Sequence, residues 1–334
     1  MFKSHPLAAT IALLIGLIFL PTSVFAQEDQ RLDLTVNPPV IELSSVPGST
    51  ITDRFRLRNN TASSLKINIA LYKLAPGALN QVTPQPLTEN DEITSWVTIN
   101  PTQVEAKPGE WTDINYSISI PDSGAFGHYF AFRLTPDQQI IEEVQGTKLQ
   151  AEIIIPTLLT IKKDGLKAAA TLLSFKVPLI NEYLPVNFIA NIENQGNVHV
   201  KPRGNIFIRS SHNQDVAILE INQDMGSVLP GTNRNFDANW DDGFFVRTAQ
   251  VDGKTKLSIN WDKLSKFRLG KYTADLLMVY DNGTRDVPLT QTISFWVIPY
   301  KLLIFIFVSV VGIILLIQLL VKIYIRNELA KSKR

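Results

Sequence analysis

Apolar and polar residues alternate with period two through most of this chain. In 51–58, Phe55 and Leu57 take one side while Arg54, Arg56 and Arg58 take the other. Leu65, Ile67, Ile69 and Leu71 oppose Lys66 and Asn68, and Ile114, Tyr116, Ile118 and Ile120 oppose Asn115, Ser117 and Ser119. Val186, Phe188, Ala190 and Ile192 repeat the pattern, as do Phe236, Ala238 and Trp240. Successive strand side chains point to opposite faces, so each run predicts a strand with one face in a core and one in water. Pro, Gly and Asn separate these short strands, and between the two ends of the chain no stretch carries a long helical stripe. The pattern predicts an all-β fold of sandwiches.

Three landmarks occur twice in the same order. A strand runs into Asn59-Asn60-Thr61 and again into Asn194-Gln195-Gly196. Pro108-Gly109 and Pro230-Gly231 follow, turns in which proline presets the first position and glycine takes a positive φ. Gly127-His128-Tyr129 and Gly270-Lys271-Tyr272 then open apolar strands. The offsets, 135, 122 and 143 residues, differ, so the halves share an architecture with unequal loops. We read two tandem immunoglobulin-like β-sandwiches, 31–163 and 166–298, followed by a single transmembrane α-helix. In each, the tyrosine is expected to cover one end of the core and bond back to the backbone, as in a tyrosine corner. Tyr272 is in phase with Ala274, Leu276 and Met278, whereas Tyr129 is out of phase with Phe130, Phe132 and Leu134; a bulge would reconcile the two.

Both ends of the chain depart from this pattern. Residues 1–26 combine Lys3, an apolar run and Val24-Phe25-Ala26, which reads as a secretory signal peptide, cleaved or kept as an anchor. Residues 302–321 carry no charge and are long enough to span a bilayer. The tail 322–334 holds Lys322, Arg326, Lys331, Lys333 and Arg334 against Glu328, a basic excess expected on the cytoplasmic side. The sandwiches are then extracytoplasmic, above a single-pass anchor in the cytoplasmic membrane. Net charge is +1, and discounting Lys3 and the tail leaves −4, so no nucleic-acid partner is expected. The chain has no cysteine, which excludes disulfides and thiolate chemistry.

Two stretches exceed what a sandwich needs. Residues 74–92 read as a long proline-containing loop. Residues 239–267 read as an added hairpin turning at Asp252-Gly253. It carries Trp240, Phe244, Phe245, Trp261 and Phe267, which either present binding anchors or pack the insertion onto its own domain. The three histidines beyond the leader, His128, His199 and His212, show no metal-ligand spacing, and no nucleophile elbow or phosphate loop is present. His128 is expected to face solvent. No catalytic, metal or cofactor site is expected, and the chain reads as a non-enzyme.

The stretches "LDLTVNPPVIELSSVPGSTITDRFRLRNNT", "WVTINPTQVEAKPGEWTDINYSISIP" and "GHYFAF" resemble the first domain of the WxL-interacting surface proteins of Gram-positive bacteria. "LPVNFIANIENQGNVHVKPRGNIFI", "LPGTNRNF" and "LGKYTADLLMVYDNG", with the apolar span and basic tail, resemble their second domain and anchor. The resemblance implies a cell-surface binding protein. Its first domain would engage peptidoglycan or another surface polymer, and its second would engage partners such as secreted Trp-x-Leu-type surface proteins. An assembly factor similar to the periplasmic pilus chaperones, holding secreted subunits by strand donation, is the alternative.

Overall fold

The computed structural model describes residues 32–76, 82–137, 141–144, 147–249 and 255–331. The leader and the Asp252-Gly253 turn lie outside the described residues. One sheet of the first sandwich runs, in spatial order, β1 (Leu34–Asn37), β3 (Thr50–Asn59), β8 (Trp111–Ser119) and β6 (Val97–Asn100). The facing sheet runs β2 (Ile41–Ser45), β12 (Ile153–Ile161), β9 (Phe126–Pro136), β4 (Leu65–Pro76) and β5 (Val82–Pro86), with β7 (Gln103–Ala106) also on β4. A one-turn helix, α1 (Ile93–Trp96), precedes β6, and a hairpin of β10 (Ile141–Val144) and β11 (Thr147–Gln150) joins β9 to β12.

The chain changes sheets at its first strand: β1 is antiparallel to β3, whereas β2 is parallel to β12. The second sandwich repeats the device. There β13 (Ala170–Lys176) is antiparallel to β15 (Val186–Asn194), and β14 (Ile180–Asn181) is parallel to β22 (Asp286–Val297). Its smaller sheet is completed by β18 (Asn233–Trp240), and its larger sheet by β21 (Gly270–Asp281), β16 (Arg203–Ser210) and β17 (Asp215–Ile221). The hairpin β19 (Phe245–Ala249) and β20 (Thr255–Ile259), with a 3-10 segment Trp261–Lys266, is inserted between β18 and β21.

The alternating residues fill two separate cores. In the first, Phe55, Leu57, Ile114 and Ile118 are fully buried, and the Phe132 ring lies 4.9 Å from both Phe55 and Tyr116. In the second, Trp240 lies 5.1 Å from Tyr272, and Phe188 5.4 Å from Phe295. Each such side chain contributes ~2 kcal/mol by leaving water. The expected all-β tandem sandwich is present. Within the loop expected at 74–92, β5 instead pairs with the end of β4. Pro84 and Pro86 are compatible with this because β5 is an edge strand, where a missing N–H costs no ladder bond. Helix α2 (Tyr300–Lys331) follows β22. Its segment 300–323 is the one helical stretch among the described residues long and apolar enough to cross a membrane.

The first two landmarks are parts of one device. Asn59 and Asn194 are fully buried. The Asn59 amide donates to the carbonyls of Ser63 (2.7 Å) and Ala106 (2.9 Å), and the Asn194 amide donates to Val198 and Val228 (both 2.8 Å). Each side-chain oxygen accepts a backbone N–H two residues on, from Thr61 and Gly196. The backbone carbonyls of the two asparagines accept the N–H of Gly109 (2.7 Å) and Gly231 (2.9 Å). Each asparagine therefore clips the end of a strand to the Pro-Gly turn.

The third landmark is not one device. Both strands pair in unbroken register, with no bulge at either tyrosine. Tyr272 is buried in its own core against Trp240 and Phe295. Tyr129 points out of its sandwich, and its hydroxyl accepts the N–H of His199 in the second. The glycines differ accordingly. A Cβ on Gly127 would lie 2.1 Å from the Tyr129 hydroxyl, so Gly127 is the floor on which that ring lies. Gly270 has open space around it and a φ of +121°, a backbone conformation only glycine adopts readily. Near Tyr129, Gly127 donates to the Asn197 carbonyl (3.1 Å), Asn197 donates to the Gly165 carbonyl (2.9 Å), and Lys201 pairs with Glu42.

Candidate functional site

The five aromatic residues singled out in the insertion divide by structure. Trp240 is fully buried and Phe244 nearly so, which removes both as surface anchors. Strand parity explains Trp240: it is in phase with Phe236 and Ala238, and its residue pairs with Val186 at the start of β15. Arg268 covers the Trp240 ring at 5.4 Å. Phe244 is the wedge that holds the insertion, with ring centroids 4.6 Å from Phe245, 5.5 Å from Trp261 and 6.2 Å from Phe267. Phe245 is half-buried beside Tyr183. Trp261 is 74% exposed and Phe267 42%. The insertion thus packs on its own domain through three of the five and presents the other two.

Its charges tie it to the start of α2. Both Arg247 and Lys301 donate to the same Glu182 oxygen at 3.0 Å. Burial opposes ionisation of Glu182, but these two cations outweigh it and hold the carboxyl below its usual range. Asp242 pairs with Lys263 (3.1 Å) and Lys266.

Residues not singled out from sequence form a second surface. The outer face of the β1-β3-β8-β6 sheet carries Arg54, Arg56 and Arg58 on β3 beside Trp111, Asp113 and Asn115 on β8, all exposed. The Arg56 guanidinium lies 4.9 Å over the Trp111 ring, and Arg54 pairs with Asp113 at 2.8 Å. Thr35, Asn37, Thr98 and Asn100 extend the face on its neighbours. The signal was present in the alternation Arg-Phe-Arg-Leu-Arg. What sequence could not supply was the pairing that sets Trp111 opposite Arg58.

A third surface lies between β17 and β18, outermost strands of the two sheets of the second sandwich. An open groove of about 720 Å³ runs between them, lined by Leu219, Asn222, Arg234, Phe236 and Asp237 among others. His128 and His199 are packed into the fold, and His212 is exposed. Contrary to expectation, His128 is half-buried, 4.5 Å from the Trp96 ring and bonded to the Ala125 carbonyl. Burial holds both His128 and His199 below the usual imidazole range. Among the described residues, no group of three or more acids and histidines is placed to hold a metal ion.

No protein-family model matches the chain, and no curated protein does. Solved structures with a similar strand layout include the Pseudomonas aeruginosa CupB2 chaperone, at 8% identity and TM-score 0.34, covering 79% of this chain and 100% of that one. The E. coli chaperone DraB is 8% identical at TM-score 0.31, with 80% and 98% covered. A chain of the CsuC–CsuE chaperone–tip adhesion subunit complex from Acinetobacter baumannii is 13% identical at TM-score 0.34, with 61% and 89% covered. At these scores the likenesses carry no functional argument, and the sandwich fold rests on the sheets themselves.

Proposed function

We propose that the chain is a membrane-tethered binding protein that holds two sandwiches outside the cytoplasmic membrane and binds cell-wall polymer, peptidoglycan foremost, on its first sandwich. The observation that carries this reading is the Arg–Trp face of β3 and β8, a local basic patch on an exported chain that is net acidic. Guanidinium groups match the carboxylates of peptide stems in a fork geometry. Trp111 offers a ring to the apolar faces of sugars, and the flanking Asn and Thr side chains supply hydrogen bonds. The apolar segment of α2 is the tether, and the basic residues after it keep the tail in the cytoplasm. Secreted Trp-x-Leu-type proteins are the further partners that the family resemblance implies. The test is retention of the detergent-solubilised full chain on insoluble peptidoglycan. Retention that drops on Arg56→Glu and Trp111→Ala is expected; no retention above an unrelated sandwich removes the reading.

A second reading, an assembly factor for secreted subunits, is favoured by the open groove between β17 and β18. Unpaired strand edges recruit an added strand. Co-purification of one secreted subunit, lost on Ile218→Lys at the exposed edge, would favour it over polymer binding.

A further inference from the structure

We propose that the insertion between β18 and β21 is a lipid-contacting foot: its apolar tip, Trp261, Leu264, Phe267 and Leu269, rests in the headgroup layer beside the point where α2 enters the bilayer. The inference rests on the tether reading above.

Strand register places the foot. The insertion leaves β18 of the smaller sheet after Trp240, which pairs with Val186, and enters β21 of the larger sheet at Gly270, which pairs with Val297. Val297 ends β22, and only Ile298 and Pro299 separate it from α2. Three Cα–Cα steps separate Val297 from Tyr300, a reach of at most ~11 Å, so this end of the sandwich stays close to the start of the helix. The insertion is therefore built on the one end of the molecule that the tether holds against lipid. Glu182 reinforces the placement by joining Arg247 of β19 to Lys301 in the first turn of α2. Phe244, Phe245 and Arg268 share a small cavity with Pro299.

The composition of the tip fits that layer. Trp261 is 74% exposed, Leu264 60% and Leu269 50%, in a segment whose neighbours are basic. Residues 241–271 hold seven basic side chains against four acidic ones, a net +3 in an exported chain that is net negative. Amphipathic aromatic rings settle at membrane–water interfaces, and lysine and arginine beside them meet anionic headgroups. A soluble surface gains nothing from four neighbouring apolar residues in water. Near lipid the same residues fix the tilt of the sandwich on its single helix.

The chain has no cysteine, so Leu264→Cys accepts a single nitroxide. Full-length protein carrying this label is reconstituted into vesicles of phosphatidylcholine and phosphatidylglycerol at 3:1. Flotation with the vesicles establishes the tether independently. The Leu264→Cys label is expected to relax more with oxygen than with a water-soluble nickel chelate, and a Ser64→Cys label in the first sandwich to do the reverse. Quenching of tryptophan by brominated lipid is expected to fall in Trp261→Phe. A floating protein whose Leu264→Cys label is as water-accessible as the Ser64→Cys label overturns the foot and leaves the tether standing. Spin–spin broadening that vanishes on dilution with unlabelled chain overturns it in favour of a second copy covering the patch. Protein that does not float removes the tether and the foot together.

Discussion

The Tyr129 hydroxyl accepts the backbone N–H of His199 at 2.6 Å, across the junction between the two sandwiches. The rings meet edge to face with centroids 5.8 Å apart. A phenol that would otherwise seal its own core is turned outward by strand parity and becomes the contact that couples one sandwich to the next.

Tyr129→Phe leaves that N–H without its acceptor. The cost is expected to be about 1–3 kcal/mol of coupling between domains. Calorimetry of the full chain should show one transition splitting into two, and Gly127→Ala, which drives a Cβ into the Tyr129 hydroxyl, should reproduce the split. Unchanged unfolding in both variants would deny Tyr129 this role.

Acid should loosen the same junction. Burial keeps His199 neutral, with Glu42 opposing and Lys201 assisting. Its folded pKa lies below the ordinary 6.5, so the unfolded chain takes up the proton first as pH falls. Stability is then complete above about pH 6.5 and declines as pH drops toward the folded value, by at most about 1.4 kcal/mol per pH unit for each histidine. His128 has the same sign. Melting curves between pH 7.5 and 5.5 should show the decline, and His199→Gln should reduce it, leaving the part due to His128.

Asn59→Ala and Asn194→Ala should be among the costliest polar substitutions in their domains. Each removes two buried donors and one acceptor and leaves backbone groups unpaired, an expected loss of about 3 kcal/mol. Chemical denaturation would measure it. Equal losses at the two sites would show that the clip has the same worth in both sandwiches, whereas a negligible loss at either would mean that water replaces it.

The two tryptophans of the insertion region should separate cleanly. Trp240→Ala empties a core site and is expected to cost about 3–5 kcal/mol. Trp261→Ala, at an exposed position, is expected to change stability by no more than about 0.5 kcal/mol while weakening vesicle contact. Denaturant midpoints for both variants decide this, and a destabilised Trp261→Ala would mean that the ring serves packing.

Local patterning carried much of this protein. Alternation alone marked Phe55, Ile114, Phe188 and Phe236 as core, because a strand exposes every second side chain to the same face whatever lies across from it. The uncharged run near the end of the chain marked the helix for a similar reason, since length and hydropathy are properties of the segment itself. The Asn and Pro-Gly landmarks were legible as turns, but their union into one clip was not, because the bonds join residues 47 and 34 positions apart.

What folds against what had to come from tertiary structure. Gly-x-Tyr occurs twice in the sequence with the same spelling. In one copy the glycine is needed for its φ and the tyrosine seals a core; in the other the glycine clears room for a ring that reaches the next domain. Likewise, Trp240 and Trp261 are both tryptophans of one segment, and only the pairing of β18 with β15 hides the first while the second stays in the open. Sequence sets which way a side chain leaves the backbone. The neighbour it meets depends on strand register and domain packing, which are settled by contacts far apart in the chain.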